Sequence, residues 1–276
     1  KIFEDFGLKF HFVSMQDTSA IEAVISEKTK MIWVETPTNP MMNIINIEAV
    51  AQVAKNHKIL LAVDNTFATP INQRPADFGI DIMIHSATKY MGGHSDICAG
   101  AVAASAAHME VIWHKSKNLG GSLSDFSVWM LERSMKTLVL RVKQQNRNAK
   151  KIAKWLLKNE HVRAVYYPGL KSHPDYELAK KQMSGYGGML SFELEEGLDV
   201  DAFQAALNLI KASMSLAGVE STLTIPKKTS HGLLTPEERK NQGIADGLIR
   251  LSVGIEDKKD IIEDIRQALH KVAVKA

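Results

Sequence analysis

Residues 59–64 are Ile59-Leu60-Leu61-Ala62-Val63-Asp64, a continuous apolar run that stops at a carboxylate. A short apolar run of this kind is typical of a strand that is buried on both faces of a sheet. Similar runs occur at residues 31–34, 80–84 and 99–103, and a helical pattern covers residues 47–58. Buried strands that are separated by helices or crossovers indicate a mostly parallel sheet. We therefore predict an α/β fold.

The second half of the chain shows a different order of predicted elements. Strands are predicted at 162–167, 189–194 and 248–253, and helices at 200–210 and 260–272. This order indicates a smaller α+β domain, and we place the boundary near residue 140, inside a long helix. Residues 219–243 show little periodicity and are predicted to form a long loop, a kind of segment that is often functional.

Composition and charge exclude several classes of protein. The chain is 45% hydrophobic and carries 34 Lys and Arg against 31 Asp and Glu, a formal charge of +3. A balance this even gives no reason to expect a nucleic-acid or anionic-membrane partner. No apolar run approaches the roughly 18 residues of a membrane span, and residues 1–6 lack the apolar segment of a signal peptide. These features predict a soluble, cytoplasmic protein.

The sequence also lacks the signatures of several kinds of site. The single cysteine, Cys98, excludes an intramolecular disulfide and a thiolate-rich metal site, and we expect it to be buried as a small apolar residue. The ten histidines form no His-x-x-x-His pair, so we predict no metal site. The Gly-x-Ser-x-Gly turn of serine hydrolases and the Gly-x-Gly-x-x-Gly turn of nicotinamide-binding domains are absent from the sequence.

Residues 143–158 have a strongly amphipathic helical pattern. At about 100° per residue, the apolar side chains of Ala149, Ile152 and Leu156 share one arc of the helix. The opposite arc carries Lys143, Arg147, Lys150, Lys151, Lys154 and Lys158. Such a face could bind a polyanion, but a basic stripe is more often a solvated surface, and we predict the latter.

Polar side chains follow two of the predicted strands. Because ligands of an open parallel sheet bind beyond the carboxyl ends of its strands, we expect Asp64 and Lys89 to lie at the same edge. A buried lysine or aspartate needs a partner. Two interpretations fit this pair: a structural ion pair, or the amine and carboxylate that pyridoxal phosphate (PLP) requires for its aldehyde and its pyridine nitrogen.

The sequence around these two residues resembles that of a known family. Residues 63–70 (VDNTFATP), 85–90 (HSATKY) and 92–96 (GGHSD) are similar to segments of the cystathionine γ-lyase/γ-synthase family, fold-type I PLP-dependent enzymes of cysteine and methionine metabolism. Further similar segments are 35–40 (ETPTNP), 167–170 (YPGL), 218–221 (GVES) and 248–254 (LIRLSVG). The resemblance implies a PLP-binding large domain over residues 1–140, incomplete at its N-terminus, and a C-terminal α+β domain over residues 141–276.

The resemblance also implies a role for each matching position in the large domain. Lys89 corresponds to the lysine that binds the PLP aldehyde as a Schiff base and then moves the substrate α-proton. Asp64 corresponds to the partner of the pyridine nitrogen. Ser86 and Thr88 correspond to hydroxyls that contact the phosphate, and Asn39 to a residue close to the ring.

Two positions in the C-terminal domain correspond to substrate-binding residues of the family. Arg250 corresponds to the arginine that holds the substrate α-carboxylate, and Ser215 to a serine near that carboxylate. The chemistry of Arg250 also suits this role, since a guanidinium fork can bind a carboxylate with two hydrogen bonds. Without the resemblance, an arginine on a solvated sheet face would be an equally good interpretation.

Departures from the family pattern bear on the reaction. Relatives carry roughly a hundred more residues upstream, including a glycine loop that cradles the phosphate, so we expect the chain to be part of a longer polypeptide. Met214 stands where γ-lyases and γ-synthases typically carry an acid that faces the distal amine of cystathionine. Residues 125–127 (DFS) replace their Pro-Ser-Pro segment. These departures leave the reaction within the family open.

We therefore predict a PLP-dependent carbon–sulfur lyase or γ-synthase that acts on a sulfur amino acid or an activated homoserine. Elimination or replacement at the γ-carbon is ranked first, cystathionine β-lyase second and methionine γ-lyase third. The resemblance implies a homotetramer built as a dimer of dimers. A truncated homologue that serves as an assembly partner is the alternative outside the enzymes.

Overall fold

The computed structural model describes residues 2–14 and 17–274, and its strands form two sheets. The first sheet has the order β1-β2-β3-β4 and consists of β1 (Met31–Glu35), β2 (Leu60–Asp64), β3 (Ile82–Ser86) and β4 (Gly100–Ala104). The first three strands are parallel, and β4 runs antiparallel to β3. The predicted α/β fold with a mostly parallel sheet is confirmed.

Helices connect and cover the strands of the first sheet. They are α1 (Thr18–Glu22), α2 (Ile47–His57), α3 (Thr69–Asn72), α4 (Ala106–Leu119), α5 (Asp125–Met135) and α6 (Leu138–Leu156). The side chain of Asn46 caps the start of α2, and Lys58 ends this helix in a left-handed conformation. The apolar side of α2 packs on β1 and β2 in one core, which orients the two strands so that their carboxyl ends emerge together.

The second sheet has the order β5-β6-β9-β8-β7 and is mainly antiparallel. Its strands are β5 (Val162–Tyr166), β6 (Met189–Leu194), β7 (Lys211–Ala212), β8 (Thr222–Thr224) and β9 (Leu248–Ser252). The helices of this part are α7 (Tyr176–Gln182), α8 (Val200–Ala206), α9 (Pro236–Asn241) and α10 (Lys258–Ala273). Side chains from α6, α8 and α10 pack with β6 and β9 in a second core, so β9 is buried along its whole length.

The long helix α6 contributes to both halves of the molecule. Leu138 and Val142 pack in a core beside the first sheet, whereas Ile152 and Leu156 pack in the core of the second sheet. The apolar arc predicted for this helix is buried and its basic arc is exposed. Because one helix serves both cores, the domain boundary near residue 140 stays a prediction.

Two expectations from the sequence are wrong about burial. Met31 and Trp33 are exposed, because alternate side chains of β1 project to opposite faces of the sheet and only Ile32 and Val34 lie on the face that packs in the core. Cys98 is also exposed rather than buried. It lies in the irregular segment between β3 and β4 and not on a strand or helix face that packs in a core.

The region 219–243 is more ordered than its lack of periodicity predicts. It contains β8, a 3-10 helix at Pro226–Lys228 and α9, elements of three to six residues that are too short to show a period.

The expectation that the first six residues lack a signal peptide includes Lys1, which lies outside the described residues. Among the residues that the structure describes, no helix is long and apolar enough to cross a membrane.

The carboxylate of Asp264 on α10 joins that helix to the chain before β7. It is buried and accepts the backbone N–H groups of residues 208–210 at 2.8–2.9 Å. Asp264→Ala leaves these donors unpaired, so we expect the free energy of unfolding to fall by about 3 kcal/mol in urea denaturation. Glu263→Ala removes only an exposed ion pair with Arg266 and is the control, expected to cost under about 0.5 kcal/mol. Equal effects of the two changes would contradict this account.

Candidate active site

The carboxyl ends of the parallel strands open into a cleft of about 280 Å³. Asp64 ends β2, Ser86 ends β3, and Lys89 follows in the next turn, while Arg250 enters the cleft from β9 of the second sheet. The cleft is lined by Glu35, Asn39, Asp64, Thr66, Phe67, Ser86, Lys89, Met214, Leu216, Ser230 and Arg250. The structure thus brings most of the residues singled out in the sequence to one place.

Asp64 is held in position by its neighbour Thr66. Its Oδ1 accepts hydrogen bonds from the Thr66 backbone N–H at 2.9 Å and from the Thr66 hydroxyl at 2.5 Å. The same hydroxyl accepts the backbone N–H of Ser86 at 2.8 Å, which ties the ends of β2 and β3 together. Within the described residues the other oxygen, Oδ2, has no hydrogen-bond donor, so it is free to accept a proton donor from a ligand.

Lys89 is a partly buried amine in the floor of the cleft. Its Nζ donates to the Ser215 hydroxyl at 3.4 Å and lies within ion-pair distance of no carboxylate in the described parts of the chain. Burial, and to a smaller extent the charge of Arg250, lower the pKa of the Lys89 amine below its usual range. The structural ion pair with Asp64 is therefore not formed, and Lys89 gives up its proton more readily than a surface lysine does.

Arg250 is the third charged group of the cleft and is only 3% exposed. Its Nη1 donates to Asn39 Oδ1 at 3.1 Å, and its Nη2 donates to the Met214 carbonyl at 2.9 Å. Burial lowers the pKa of Arg250 to about 10. No carboxylate among residues 2–14 and 17–274 pairs with it, and an unpaired buried cation is costly. The solvated-face interpretation of Arg250 is therefore wrong, and the guanidinium is available to an anionic ligand.

Glu35 is a cleft residue that the sequence analysis did not single out. It faces Asp64 across the parallel pair β1 and β2, and its Oε1 accepts the backbone N–H of Asn39 at 3.0 Å. Although part of the side chain is open to solvent, enclosure of its carboxyl group and the charge of Asp64 raise the pKa of Glu35 to about 7. Its place at the end of a predicted strand, like that of Asp64, was the signal that could have found it.

The predicted hydroxyl positions differ in their surroundings. Ser86 lines the cleft, and Ser215 contacts the amine of Lys89. The hydroxyl of Thr88 points toward the backbone of Ala99. It accepts a hydrogen bond from the Ala99 N–H at 2.9 Å and donates one to the Ala99 carbonyl at 3.2 Å. The phosphate contacts assigned to Ser86 and Thr88, and the role assigned to Ser215, stay predictions.

The donor set of the cleft fits PLP. The amine of Lys89 can bind an aldehyde, the free oxygen of Asp64 can accept the proton of a pyridinium nitrogen, and the Ser86 hydroxyl can donate to a phosphate. The cleft lining carries two carboxylates, Glu35 and Asp64, and two cations, and none of the four is ion-paired among the described residues. Unpaired charges of both signs in one cleft favour a ligand that is itself both anionic and cationic.

Comparison with known proteins gives one consistent family. A family model described as Cys/Met metabolism PLP-dependent enzyme matches residues 1–270. The cystathionine beta-lyase of Lactococcus lactis subsp. cremoris (strain MG1363) is 43% identical over 272 residues, which are 98% of this chain and 72% of that protein. The cystathionine gamma-lyase of Bacillus subtilis (strain 168) is 43% identical over 273 residues, which are 99% of this chain and 72% of that protein.

Solved structures agree with these sequence matches. The crystal structure of cystathionine gamma-lyase from Lactobacillus plantarum complexed with L-serine has a TM-score of 0.96 and 41% identity, and the match covers 99% of this chain and 72% of that one. The apo structure of a methionine gamma lyase from Micromonospora echinospora has a TM-score of 0.92 and 32% identity, over 98% of this chain and 73% of that one. The matching proteins share the fold but differ in the reaction that their names give.

The raised pKa of Glu35 predicts a pH dependence of stability. The carboxyl group holds its proton in the folded protein up to about pH 7, whereas an unfolded glutamic acid loses it near 4.5. The folded state therefore binds more protons between these values, and stability falls as the pH rises through this window. Glu35→Gln carries no titrating proton. We therefore expect the thermal stability of this variant, measured relative to that of the wild type, to be higher at pH 8 than at pH 5. An unchanged difference between the two proteins at both pH values would contradict this.

Proposed function

Because the chain belongs to the Cys/Met metabolism PLP-dependent enzyme family, we propose the following reaction for this carbon–sulfur lyase. It eliminates or replaces the group that is bound to the γ-carbon of a sulfur amino acid or of an activated homoserine. The observation that carries the proposal is the buried, unpaired guanidinium of Arg250 in the same cleft as the amine of Lys89. A cation of this kind can bind the carboxylate of a substrate, and the amine can accept a proton from the neighbouring carbon.

Arg250 is proposed to bind the α-carboxylate of the substrate. A guanidinium has five N–H donors, and the two hydrogen bonds to Asn39 and Met214 leave the others available. Those two contacts also orient the planar group, so less rotational freedom is lost when a carboxylate binds. The role of Arg250 is therefore to fix the substrate and to orient its Cα–H bond toward the floor of the cleft.

Lys89 is proposed to move the substrate α-proton. When bound, PLP withdraws electrons from the substrate Cα and so makes the proton on that carbon easier to remove. The Nζ of Lys89 can accept this proton once the amine is neutral, a form that its lowered pKa makes more abundant near neutral pH. The hydroxyl of Ser215, at 3.4 Å from Nζ, can orient the amine.

The remaining predicted residues are proposed to hold the cofactor. Asp64 Oδ2 would accept the pyridinium N–H, and the bonds from Thr66 to Oδ1 keep the carboxylate in place for it. Ser86 and Thr88 would contact the phosphate, and Asn39, fixed by its bond from Arg250, would lie beside the ring. Each of these residues lies at or next to the carboxyl end of a strand, where the ligands of open α/β sheets bind.

The ranking of reactions rests on the family resemblance alone, and Met214 weakens the case for cystathionine as the substrate. The beta-lyase of L. lactis and the gamma-lyase of B. subtilis are equally similar to the chain, so their names do not separate the two reactions. Met214 lies at the edge of the cleft with 65% of its surface exposed. An apolar side chain there gives the distal amine of cystathionine no partner from this position. We rank γ-elimination or γ-replacement first, cystathionine β-lyase second and methionine γ-lyase third.

The assembly and location of the protein are also proposals. A homotetramer built as a dimer of dimers is supported by apolar surface that the described chain leaves open: α4 buries no residue, and Trp113, Phe126 and Trp129 are each more than half exposed. A cytoplasmic location is supported by the single thiol, Cys98, which forms no disulfide.

Product analysis tests the proposed reaction most simply. The enzyme loaded with PLP is incubated with cystathionine, with methionine and with an O-acylated homoserine in the presence of a thiol. Elimination at the γ-carbon of cystathionine leaves a four-carbon keto acid, and elimination at its β-carbon leaves a three-carbon one. Replacement at the γ-carbon of the acylated homoserine leaves a thioether amino acid and releases the carboxylic acid. Mass spectrometry of these products therefore decides between the first two candidates. A three-carbon product alone would overturn the γ-assignment, and no product from any substrate would favour the non-catalytic partner.

Lys89→Ala removes the proposed proton acceptor. We expect turnover to fall at least about a hundredfold, the usual contribution of a positioned acid or base. Lys55→Ala on the exposed side of α2 removes a surface amine and is expected to leave turnover unchanged. Turnover of the Lys89 variant near the wild-type value would contradict the role of this residue.

Arg250→Lys keeps the positive charge but loses the planar donor fork. We expect kcat/KM to fall roughly a hundredfold, about 3 kcal/mol, mostly through KM, because the carboxylate contact is made before the chemical step. Steady-state kinetics measure this split. A fall confined to kcat with an unchanged KM would show that Arg250 does not hold the substrate carboxylate.

A further inference from the structure

A second concave site lies away from the catalytic cleft, between α6 and the start of α10. Its volume is about 630 Å³, within the range of small-molecule sites. It is lined by Gln144, Arg147, Asn148, Lys150, Lys151 and Lys154 from α6 and by Lys258 from the first residue of α10. We call this site the α6–α10 groove. Four of the six residues of the exposed basic arc therefore line this groove.

The lining of the α6–α10 groove is entirely cationic or neutral. It carries one guanidinium and four ammonium groups and no carboxylate. None of these five cations forms an ion pair with a described residue, whereas Lys227, Lys228 and Arg266 on other surfaces each contact a carboxylate. The formal charge of the whole chain is only +3, so the five positive charges of this groove exceed the net charge of the chain.

Acidic residues close to the groove are directed elsewhere. The carboxylate of Glu256 accepts the backbone N–H of Ser221 at 2.5 Å and its hydroxyl at 3.0 Å. The carboxylate of Asp257 caps α10 by accepting the backbone N–H of Lys259 at 2.8 Å. Both acids in the loop before α10 are thus occupied by donors of the protein, and neither serves as counter-ion to the groove.

The two walls of the groove are fixed to each other. Asn148 Nδ2 donates to the carbonyl groups of Gly254 and Glu256 at 3.1 and 2.8 Å, which ties α6 to the loop that leads into α10. Gln144 Nε2 donates to Asn148 Oδ1 at 3.2 Å and holds that amide in place. Because Ala149, Ile152, Ala153 and Leu156 of α6 are buried in the second core, the backbone walls of the groove are in place before any ligand arrives, which lowers the cost of binding.

We propose that the α6–α10 groove binds a compact anion with two or more phosphate groups, such as a nucleoside triphosphate or an inorganic polyphosphate. Guanidinium and ammonium groups are the side chains that bind phosphate in proteins. Four cations of α6 and one of α10 line the groove, so a ligand with clustered negative charges would offset their mutual repulsion. A duplex nucleic acid fits less well, because the basic residues are confined to one groove of a protein of low net charge.

Calorimetric titration of the PLP-loaded enzyme with inorganic tripolyphosphate tests this proposal. We expect one site per chain, with an affinity that falls between about 50 and about 200 mM NaCl as phosphate contacts require. The double change Lys150→Glu and Lys154→Glu is expected to weaken binding at least about tenfold. Lys258→Ala is a second, milder variant, which tests the other wall and is expected to weaken binding about threefold.

The control carries the same change of charge on α6 and in the turn that follows it. Lys143→Glu with Lys158→Glu alters two exposed residues of the basic arc that do not line the groove, and we expect less than about a threefold effect. Equal losses in the two double variants would show diffuse attraction to a basic surface and would overturn the proposal. Absence of binding to the wild type would overturn it as well, and so would tighter binding of a short DNA duplex than of tripolyphosphate or of a nucleoside triphosphate.

Discussion

The geometry of the cleft depends on the hydroxyl of Thr66. It donates to Asp64 and accepts the backbone N–H of Ser86, so it joins the ends of two parallel strands through one atom. A hydroxyl has a single proton, so with that proton given to Asp64 it can only accept from Ser86. Parallel pairing brings strand ends to one edge of a sheet, and this contact then fixes the carboxylate relative to the turn that carries Lys89.

The turn after β3 is held from its other side by α6. The guanidinium of Arg141 donates to the carbonyl of Tyr90 at 2.6 Å and to that of Met91 at 3.2 Å. Gly93 has a φ of +70°, and a Cβ at this position would lie 1.9 Å from the guanidinium, so a side chain there would strain the backbone and displace the Arg141 side chain. Since α6 also packs in the second core, the position of Lys89 is coupled to the sheet that carries Arg250, the arginine proposed to bind the substrate.

The sequence allowed the α/β fold and the meeting of Asp64 and Lys89 to be predicted, because apolar runs mark strands and residues after such runs share an edge. It did not reveal Glu35. The pKa of this residue depends on the strand register that places it opposite Asp64, and that register is set by contacts between segments far apart in the sequence. The sequence placed Arg250 in a strand but did not reveal its burial, which follows from the position of β9 inside the second sheet. The exposure of Cys98 was missed because irregular segments have no period to interpret.

The central claim is that the amine of Lys89 binds the cofactor in this cleft, and covalent labelling tests it most directly. Borohydride reduction of the protein mixed with PLP fixes the cofactor to the amine that holds it, and peptide mapping by mass spectrometry identifies that residue. The account predicts a single label on Lys89, with loss of that label in Asp64→Ala at limiting PLP. A label on another lysine, or labels spread over surface lysines with Lys89 unmodified, would contradict it.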